Sequence, residues 1–212
     1  MSVESGVPFS LTDFVRHHFE SGMMALRNVP LWVWPLPFLF AGLILLIVQT
    51  PLAIVTTKPV QELIGPSTMI ATTLLAVFVH RKVGVFFTLL LACFAGAIFM
   101  REWHVWGTEQ AIFVALAALA WWASSRREEI IPYLRKSNVG GLLCTALLCY
   151  AASQFMDQDI LLKLDLVAIS DYKQWNDNIE ETLETIGHMF IFAAVVMTYL
   201  SVARKPSEKA SA

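Results

Sequence analysis

The run ETIGHMFIFAAVVMTYLSVA, residues 184–203, is mostly apolar and carries one carboxylate and one histidine close to its start. A helix needs about 20 predominantly apolar residues to cross the hydrocarbon core of a bilayer. Helix is the expected form, because every backbone polar group in lipid must be hydrogen-bonded within the segment. Residues 184–203 therefore predict a transmembrane helix whose polar residues need a separate explanation.

The composition of the whole chain is typical of a membrane protein. Of its 212 residues, 57% are hydrophobic and 15% are charged, whereas a soluble domain is roughly 45–50% apolar and about 25% charged. A soluble protein of this length could not hide so much apolar surface from water. The net charge of -2 favours no nucleic-acid partner. The predicted partner is the lipid bilayer, and a protein partner or a homo-oligomer is left open.

Five further apolar runs complete a bundle of spans. We predict an all-α fold, a polytopic membrane helix bundle with six transmembrane helices. The second span is short and its start is left open, because Arg81 and Lys82 can snorkel and extend its effective length. The predicted spans are residues 31–50, 66–80, 84–100, 108–123, 139–156 and 184–203.

Three segments follow from this count of spans. Residues 1–30 are a cytoplasmic or interfacial N-terminal segment, residues 31–204 are the six-span domain, and residues 205–212 are a cytoplasmic tail. Residues 9–26 space their aromatic and aliphatic side chains as an amphipathic helix does, which predicts a helix lying on the membrane surface. The first apolar run is too long for the apolar part of a signal peptide, so we expect it to be an uncleaved span.

The positive charges orient the bundle. With six spans, eleven of the fifteen Lys and Arg residues fall on the side that holds both termini, and the other side holds only Lys58, Arg101, Lys163 and Lys173. Cytoplasmic loops of membrane proteins carry the excess of Lys and Arg. Both termini are therefore predicted to lie in the cytoplasm.

A polar stripe begins the last predicted span, on the non-cytoplasmic side. At 100° per residue, Glu180, Glu181, Glu184, Gly187 and His188 fall within about one third of the helix circumference. His188 lies about 12 Å along the axis from Glu180, at a rise of 1.5 Å per residue. The stripe thus runs from the membrane surface into the apolar layer, and we expect it to face the interior of the bundle.

A second polar group lies between the third and fourth predicted spans. It consists of the turn Arg101-Glu102-Trp103-His104 and of Glu109, which follows at the start of the fourth span. The six-span topology places this group on the same side as the polar stripe. Ionisable residues at membrane depth are costly and are functional candidates by default. The predicted pocket consists of Arg101, Glu102, His104, Glu109, Glu181, Glu184 and His188.

Three interpretations of these residues stay open. The carboxylates could cap helix N-termini and pair with Arg101, with no further role. Glu184 and His188 could be two ligands of a metal ion on adjacent turns, with Glu102 or His104 supplying others. His188 could instead titrate near neutral pH and, coupled to Glu184, form part of a proton or cation path. No cofactor is predicted, and a divalent metal is left open.

Two short motifs carry a resemblance to known proteins. The R-E-x-[DH] turn at Arg101–His104 and the E-E-x-x-E-x-x-G element at Glu180–Gly187 resemble those of a group of uncharacterised bacterial multi-span inner-membrane proteins. The chain departs from that group at Trp103-His104, where the similar proteins tend to carry an acidic residue. The resemblance implies a bacterial inner-membrane location and no particular activity.

Two functional hypotheses follow, and a third is structural. The first is a non-enzymatic membrane protein, either a transporter-like carrier or a membrane-complex subunit, with an outward-facing acidic and histidine-containing pocket. The alternative is a membrane-embedded, metal-dependent enzyme that acts on a lipid or isoprenoid substrate. In a purely structural or assembly protein the same residues would be solvated caps. No Walker loop, G-x-S-x-G or H-E-x-x-H motif occurs in the sequence.

Overall fold

The computed structural model describes residues 12, 15–16, 31–47, 50–103, 108–136, 138–158 and 172–203. Between residues 31 and 203, the described residues form seven α-helices and no strand, which confirms the all-α prediction. In chain order they are α1 (Leu36–Ile47), α2 (Lys58–Val83), α3 (Phe86–Glu102), α4 (Thr108–Ser125), α5 (Arg127–Lys136), α6 (Val139–Asp157) and α7 (Tyr172–Ala203). The predicted surface helix over residues 9–26 lies outside the described residues, except for three isolated positions.

Three of these helices are long and apolar enough to cross a membrane: α2, α6 and the Asn176–Ala203 part of α7. The sequence predicted six spans, whereas three of the described helices reach the length and hydropathy that a span requires. Helix α3 has 17 residues, which corresponds to about 26 Å against a hydrocarbon core of about 30 Å. In α4 the described apolar part, Ala111–Ser125, is shorter still.

The first predicted span, residues 31–50, is not a continuous helix. It contains a short 3-10 helix, Leu31–Val33, then α1 with only 12 residues, and a second 3-10 helix follows at Pro51–Thr56. Prolines favour these interruptions, because proline lacks a backbone N–H and fits best in the first turn of a helix. A twelve-residue helix reaches about 18 Å, which is less than the hydrocarbon core.

Two spans begin earlier than predicted. Helix α2 starts at Lys58 instead of residue 66, and Pro66 lies buried within it. Helix α7 starts at Tyr172 instead of residue 184. In both cases the first turns carry charged side chains, so that hydrophobicity detects only the later part of the helix. Helices α3, α4 and α6 begin within two residues of their predicted starts.

Helix α7 packs along α6 and α2, and α3 packs along α2. The turn between α2 and α3 requires Gly84, which has a φ of 64° and donates its N–H to the His80 carbonyl at 2.7 Å. That left-handed conformation is costly for any residue with a Cβ atom. The resulting hairpin places the start of α2 beside the end of α3.

The bundle has two chemically different ends. We call the end at which α2 and α7 begin and α3 and α6 finish the polar end, because it carries the acidic stripe. At the opposite end, the basic end, an apolar cluster that includes Val79, Phe87, Val139 and Val195 joins the end of α2 to the start of α6. A second apolar cluster lies between the two ends and consists of Met69, Ala95, Ile98, Ala146 and Ile191.

Candidate functional site

The polar end is held together by a carboxylate that three helices share. Arg101, in the last turn of α3, donates from Nη1 and Nη2 to Oε1 of Glu184 in α7, at 3.1 and 3.2 Å. Ser153 of α6 donates its hydroxyl to the same oxygen at 3.0 Å. Glu184 is 6% exposed, so these donors replace the water that its charge would otherwise require.

Glu102 is the second buried carboxylate of the site. Its Oε1 lies 3.5 Å from Nη1 of Arg101 and 3.8 Å from Nε2 of His188. Arg101 is therefore shared between Glu102 and Glu184, and its closer contact is with Glu184. The distance from Glu102 to the imidazole is too long for a hydrogen bond, which for N–H···O spans about 2.7–3.2 Å.

His188 has no exposed surface, and neither of its ring nitrogens has a hydrogen-bond partner among the described residues. The ring of Tyr150 lies edge-on against it, with 5.5 Å between centroids. The buried Tyr150 hydroxyl likewise lacks a partner among the described residues. Buried polar groups are normally hydrogen-bonded, and leaving one without a partner costs about 1–3 kcal/mol. Two buried polar side chains without partners among the described residues thus lie in contact at this point of the bundle, which makes it the candidate binding site.

Two glycines allow the helices to approach closely around His188. A Cβ atom added to Gly65 of α2 would lie 3.4 Å from Nδ1 of His188 and 3.5 Å from Oε2 of Glu102. One added to Gly187 of α7 would lie 3.1 Å from Cζ of Tyr150. Gly65 thus places the backbone of α2 directly against both His188 and Glu102.

A third carboxylate lies nearer the surface of the polar end. Oε1 of Glu181 in α7 forms an ion pair with Nζ of Lys58 at 3.0 Å. The same Nζ lies 4.0 Å from Oε1 of Glu62. The Glu181 side chain is 17% exposed and that of Lys58 is 51% exposed. This pair connects the first turn of α2 to α7 above the more deeply buried Glu184.

Of the seven predicted pocket residues, the structure brings five to the polar end: Arg101, Glu102, Glu181, Glu184 and His188. His104 lies outside the described residues, and of Glu109 only the backbone in α4 is described. Glu184 and His188 occupy successive turns of α7, but they have different partners. Glu184 is bound by Arg101, whereas His188 lies beside Glu102.

Four further residues of the site were not predicted from the sequence: Lys58, Gly65, Tyr150 and Ser153. Tyr150 and Ser153 are three residues apart in an otherwise apolar helix, which places both on one face of α6. That spacing was a usable signal. Gly65 and Lys58 precede the predicted start of the second span, where the sequence offered no reason to look.

The metal-site interpretation has a specific geometric requirement. Structural and catalytic zinc sites use at least three protein ligands. Among the residues that the structure describes, no three His, Cys, Asp or Glu side chains are arranged to hold a metal ion. The guanidinium of Arg101, which contacts both Glu102 and Glu184, would also repel a divalent cation placed between them.

Comparisons of the chain with protein-family models, with curated proteins and with solved structures find no match. The resemblance of the motifs at Arg101–His104 and Glu180–Gly187 to bacterial inner-membrane proteins therefore stays a prediction. Function has to be inferred from the side-chain geometry of the polar end.

Proposed function

We propose that the chain is a multi-pass protein of the bacterial inner membrane, without enzymatic activity, whose polar end is an outward-facing pocket for a proton or a small cation. In this role it serves as a transporter-like carrier or as the ion-binding subunit of a membrane complex. The observation that carries the proposal is the fully buried His188, whose imidazole lies beside the Glu102 carboxylate and has no hydrogen-bond partner among the described residues. Ionisable groups kept at membrane depth mark ion and proton pathways in membrane proteins.

The outer surface of the bundle supports a lipid environment. Large apolar side chains point away from the core on α1, α2 and α4, and Leu63, Phe113 and Val114 are each about two-thirds or more exposed. Exposed apolar area on this scale is rare on soluble monomers. The three long apolar helices α2, α6 and α7 are consistent with spans. In the six-span arrangement that we propose, α3 and α4 are shorter spans and α1 is part of the first.

The distribution of charge supports the orientation. Arg81 and Lys82 lie in the last turn of α2, at the basic end. Arg126 lies over the ring of Phe86 there, with its guanidinium carbon 4.8 Å from the centroid. Under the positive-inside rule the basic end is cytoplasmic and the polar end faces outward. Both termini are then cytoplasmic.

The alternative of a membrane-embedded enzyme has one favourable observation. A shallow apolar groove between α2 and α7, lined by Leu63, Ile64, Met189 and Phe192 among others, could receive an acyl or isoprenoid chain. Met189 is adjacent to His188, so a bound chain would approach the buried imidazole. Bound Zn, Mn or Fe in stoichiometric amount, lost in Glu184→Ala and His188→Ala, would favour this enzyme over the carrier.

Ion flux into liposomes tests the carrier. Purified protein is reconstituted into liposomes that contain a pH-sensitive dye or, in parallel, a Na⁺- or K⁺-sensitive dye. A pH gradient or a membrane potential is then applied in the presence of Na⁺ or K⁺. We expect a flux that falls at least about tenfold in Glu184→Gln and in His188→Asn, because each removes a group of the pathway. The matched control is Glu129→Gln, the same change at an exposed carboxylate near the basic end. If the wild-type protein gives no flux in any gradient, the carrier hypothesis is wrong. If Glu184→Gln and His188→Asn retain the flux of the Glu129→Gln control, the pocket has no part in transport.

A further inference from the structure

The charges of the polar end do not balance. Three carboxylates in ion-pair contact there have side chains less than one-fifth exposed: Glu102, Glu181 and Glu184. Two cations face them, with Lys58 on Glu181 at 3.0 Å and Arg101 on Glu184 at 3.1 Å. One negative charge is therefore left over. It belongs to Glu102, whose distance to Arg101 is longer, at 3.5 Å.

The uncompensated carboxylate has an imidazole as its other neighbour. Nε2 of His188 lies 3.8 Å from Oε1 of Glu102, and it has no hydrogen-bond partner among the described residues. We infer that the ligand of this pocket is a single proton, which Glu102 and His188 hold between them and which reaches them from the polar end. The inference rests on the proposed function in that both use the same pocket, and it names the ion that the pocket takes.

The donor atoms select a proton over metal ions. Hard cations take oxygen ligands, six or more in number for Ca²⁺, whereas the site offers an imidazole and the Glu102 carboxylate, which Arg101 also contacts. Transition metals bind imidazole but require further ligands, and the described part of the chain presents no group of three. A proton needs only the lone pair of one nitrogen and one acceptor. When it adds to Nε2, a movement of about 1 Å converts the 3.8 Å contact into a charge-assisted hydrogen bond from His188 to Glu102.

The charged groups around His188 carry a net negative charge. From α3 it faces the Glu102 carboxylate and the Arg101 guanidinium, and from α6 it faces the neutral Tyr150 ring. On its own helix, Glu184 lies one turn nearer the polar end. Helix α2 presents Gly65, which has no side chain. Two carboxylates against one guanidinium leave a net charge of about −1 at short range, which one proton held by the Glu102–His188 pair neutralises.

Among the described residues, the side chains on the two sides of His188 differ in polarity. Towards the basic end, His188 is followed by the apolar cluster of Met69, Ala95, Ile98, Ala146 and Ile191. The buried threonines beyond it, Thr72, Thr145 and Thr198, donate their hydroxyls to carbonyls of their own helices. Towards the polar end, Glu184 and Glu181 continue the stripe to half-exposed Lys58. Ionisable side chains thus connect His188 to the polar end, and apolar side chains separate it from the basic end.

Nitrogen-15 NMR of ring-labelled histidine measures the proposed binding directly, on the full chain in lipid nanodiscs. We expect one imidazole signal, absent in His188→Asn, to change from the neutral to the charged pattern in a single-proton step between about pH 4 and pH 9. If His188→Asn does not fold, replacing His17, His18, His80 and His104 by Gln leaves His188 as the only signal. A His188 that stays neutral throughout overturns the inference.

A second variant tests whether Glu102 is the partner of His188 in proton binding. Glu102→Gln removes the negative charge without changing the shape of the side chain, and it should weaken proton binding by His188 at least about tenfold. Glu129→Gln, the same change at the exposed carboxylate near the basic end, should leave it unchanged. Equal proton binding in Glu102→Gln and wild type overturns the assignment, as does stoichiometric Zn²⁺ binding that abolishes the titration.

The two proposals fail separately. Cation flux in liposomes without titration of His188 would show that the ligand is not a proton, and the pocket would remain a carrier site for another cation. Titration of His188 without any flux would overturn the carrier and leave the proton site intact.

Discussion

Arg101, the next-to-last residue of α3, donates both terminal nitrogens to a single oxygen of Glu184 in α7, although 83 positions separate the two residues in sequence. The Ser153 hydroxyl of α6 reaches the same oxygen at 3.0 Å. One carboxylate oxygen thus joins α3, α6 and α7 at the polar end. Glu102, the neighbour of Arg101, is thereby fixed beside His188.

Removal of Arg101 should destabilise the protein more than neutralisation of its partner. Arg101→Met leaves a buried carboxylate without its cation, which costs about 3–5 kcal/mol when both partners are fully buried. Because the Arg101 side chain is 33% exposed, we expect about 2–3 kcal/mol. Glu184→Gln keeps a hydrogen-bonding group of the same shape and should cost less. Thermal unfolding in detergent, or resistance to SDS, measures both variants.

The double variant Arg101→Met with Glu184→Gln separates the ion pair from its surroundings. It should be more stable than the sum of the single changes predicts, by about 1–3 kcal/mol of coupling free energy. The exposed pair Arg126 and Glu129, 3.6 Å apart, is the matched control and should couple by less than about 0.5 kcal/mol. Equal coupling at the two pairs would show that the buried contact does not hold α3 to α7.

Alanine substitutions at four glycines should rank by the space available to a new Cβ atom. At Gly140 it would lie 2.8 Å from the Leu134 carbonyl oxygen, a backbone atom that cannot move alone, and at Gly187 it would lie 3.1 Å from the Tyr150 ring. We expect Gly140→Ala to be the most destabilising and Gly187→Ala to cost about 1–3 kcal/mol, as overpacked cores do. At Gly42 nothing lies within 4 Å, so Gly42→Ala should stabilise α1 by up to about 1 kcal/mol.

Gly65→Ala has a different expected signature from the other three. The new Cβ atom would lie 3.4 Å from Nδ1 of His188 and 3.5 Å from Oε2 of Glu102, which are ordinary van der Waals distances. The protein should fold with little change in melting temperature, while flux through the pocket falls because a methyl group occupies the polar surface of the site. A melting temperature as low as that of Gly187→Ala, with flux unchanged, would mean that Gly65 serves helix packing only.

Two hydroxyls on one face of α6 should respond in opposite ways to removal. Ser153 donates to the Glu184 carboxylate, and a hydrogen bond to a charged group is worth about 1.5–3 kcal/mol, so Ser153→Ala should destabilise by that order. The Tyr150 hydroxyl has no partner among the described residues, so Tyr150→Phe should leave stability unchanged or raise it. Thermal unfolding of the two variants side by side decides this, and destabilisation by Tyr150→Phe above about 1 kcal/mol would show that the hydroxyl has a partner in solution.

The fold was predictable wherever an apolar run was long and uninterrupted. The starts of α3, α4 and α6 followed from Gly84, Thr108 and Val139 to within two residues. Hydrophobicity misplaced the start of α2 at Pro66 and that of α7 at Glu184. The first turns of both helices contain charged residues, whose low hydrophobicity is typical of loops. It also joined α1 and the 3-10 helix Leu31–Val33 into one span, because apolar residues beside prolines are as hydrophobic as those of a continuous helix.

The site was predictable in part, because spacing along one helix is visible in a sequence and contacts between helices are not. The stripe from Glu180 to His188 lies on one face of α7 by periodicity alone. The partner of His188, however, was expected to be Glu184 on the same helix, and the structure places Glu102 of α3 beside it. Which residue of α3 meets α7 depends on the rotation of both helices about their axes, which the spacing along either helix does not reveal.

Chemical labelling from outside the cell tests the proposed orientation. Lys173 at the start of α7 and Glu128 in α5 are both exposed, and the topology places them on opposite sides of the membrane. A charged, membrane-impermeant maleimide should label Lys173→Cys in intact cells and should label Glu128→Cys only after the cells are opened. The wild-type chain is the control for its own three cysteines. Labelling of Glu128→Cys alone in intact cells would reverse the orientation and make the pocket cytoplasmic.

The apolar cluster below His188 should be the barrier to proton leak. Ile191 is fully buried within it, three residues beyond His188 on α7, whereas the next residue, Phe192, is 37% exposed. A polar side chain at Ile191 can hold water and extend the route towards the basic end, at a cost of about 1–3 kcal/mol for the buried amide. In liposomes, Ile191→Asn should therefore raise proton leak under a pH gradient. Adding Glu102→Gln should reduce that leak, because His188 then binds the proton more weakly. The control Phe192→Asn, on the face that we assign to lipid, should leave the leak at the wild-type level, so equal leak in the two single variants would place the barrier elsewhere in the bundle.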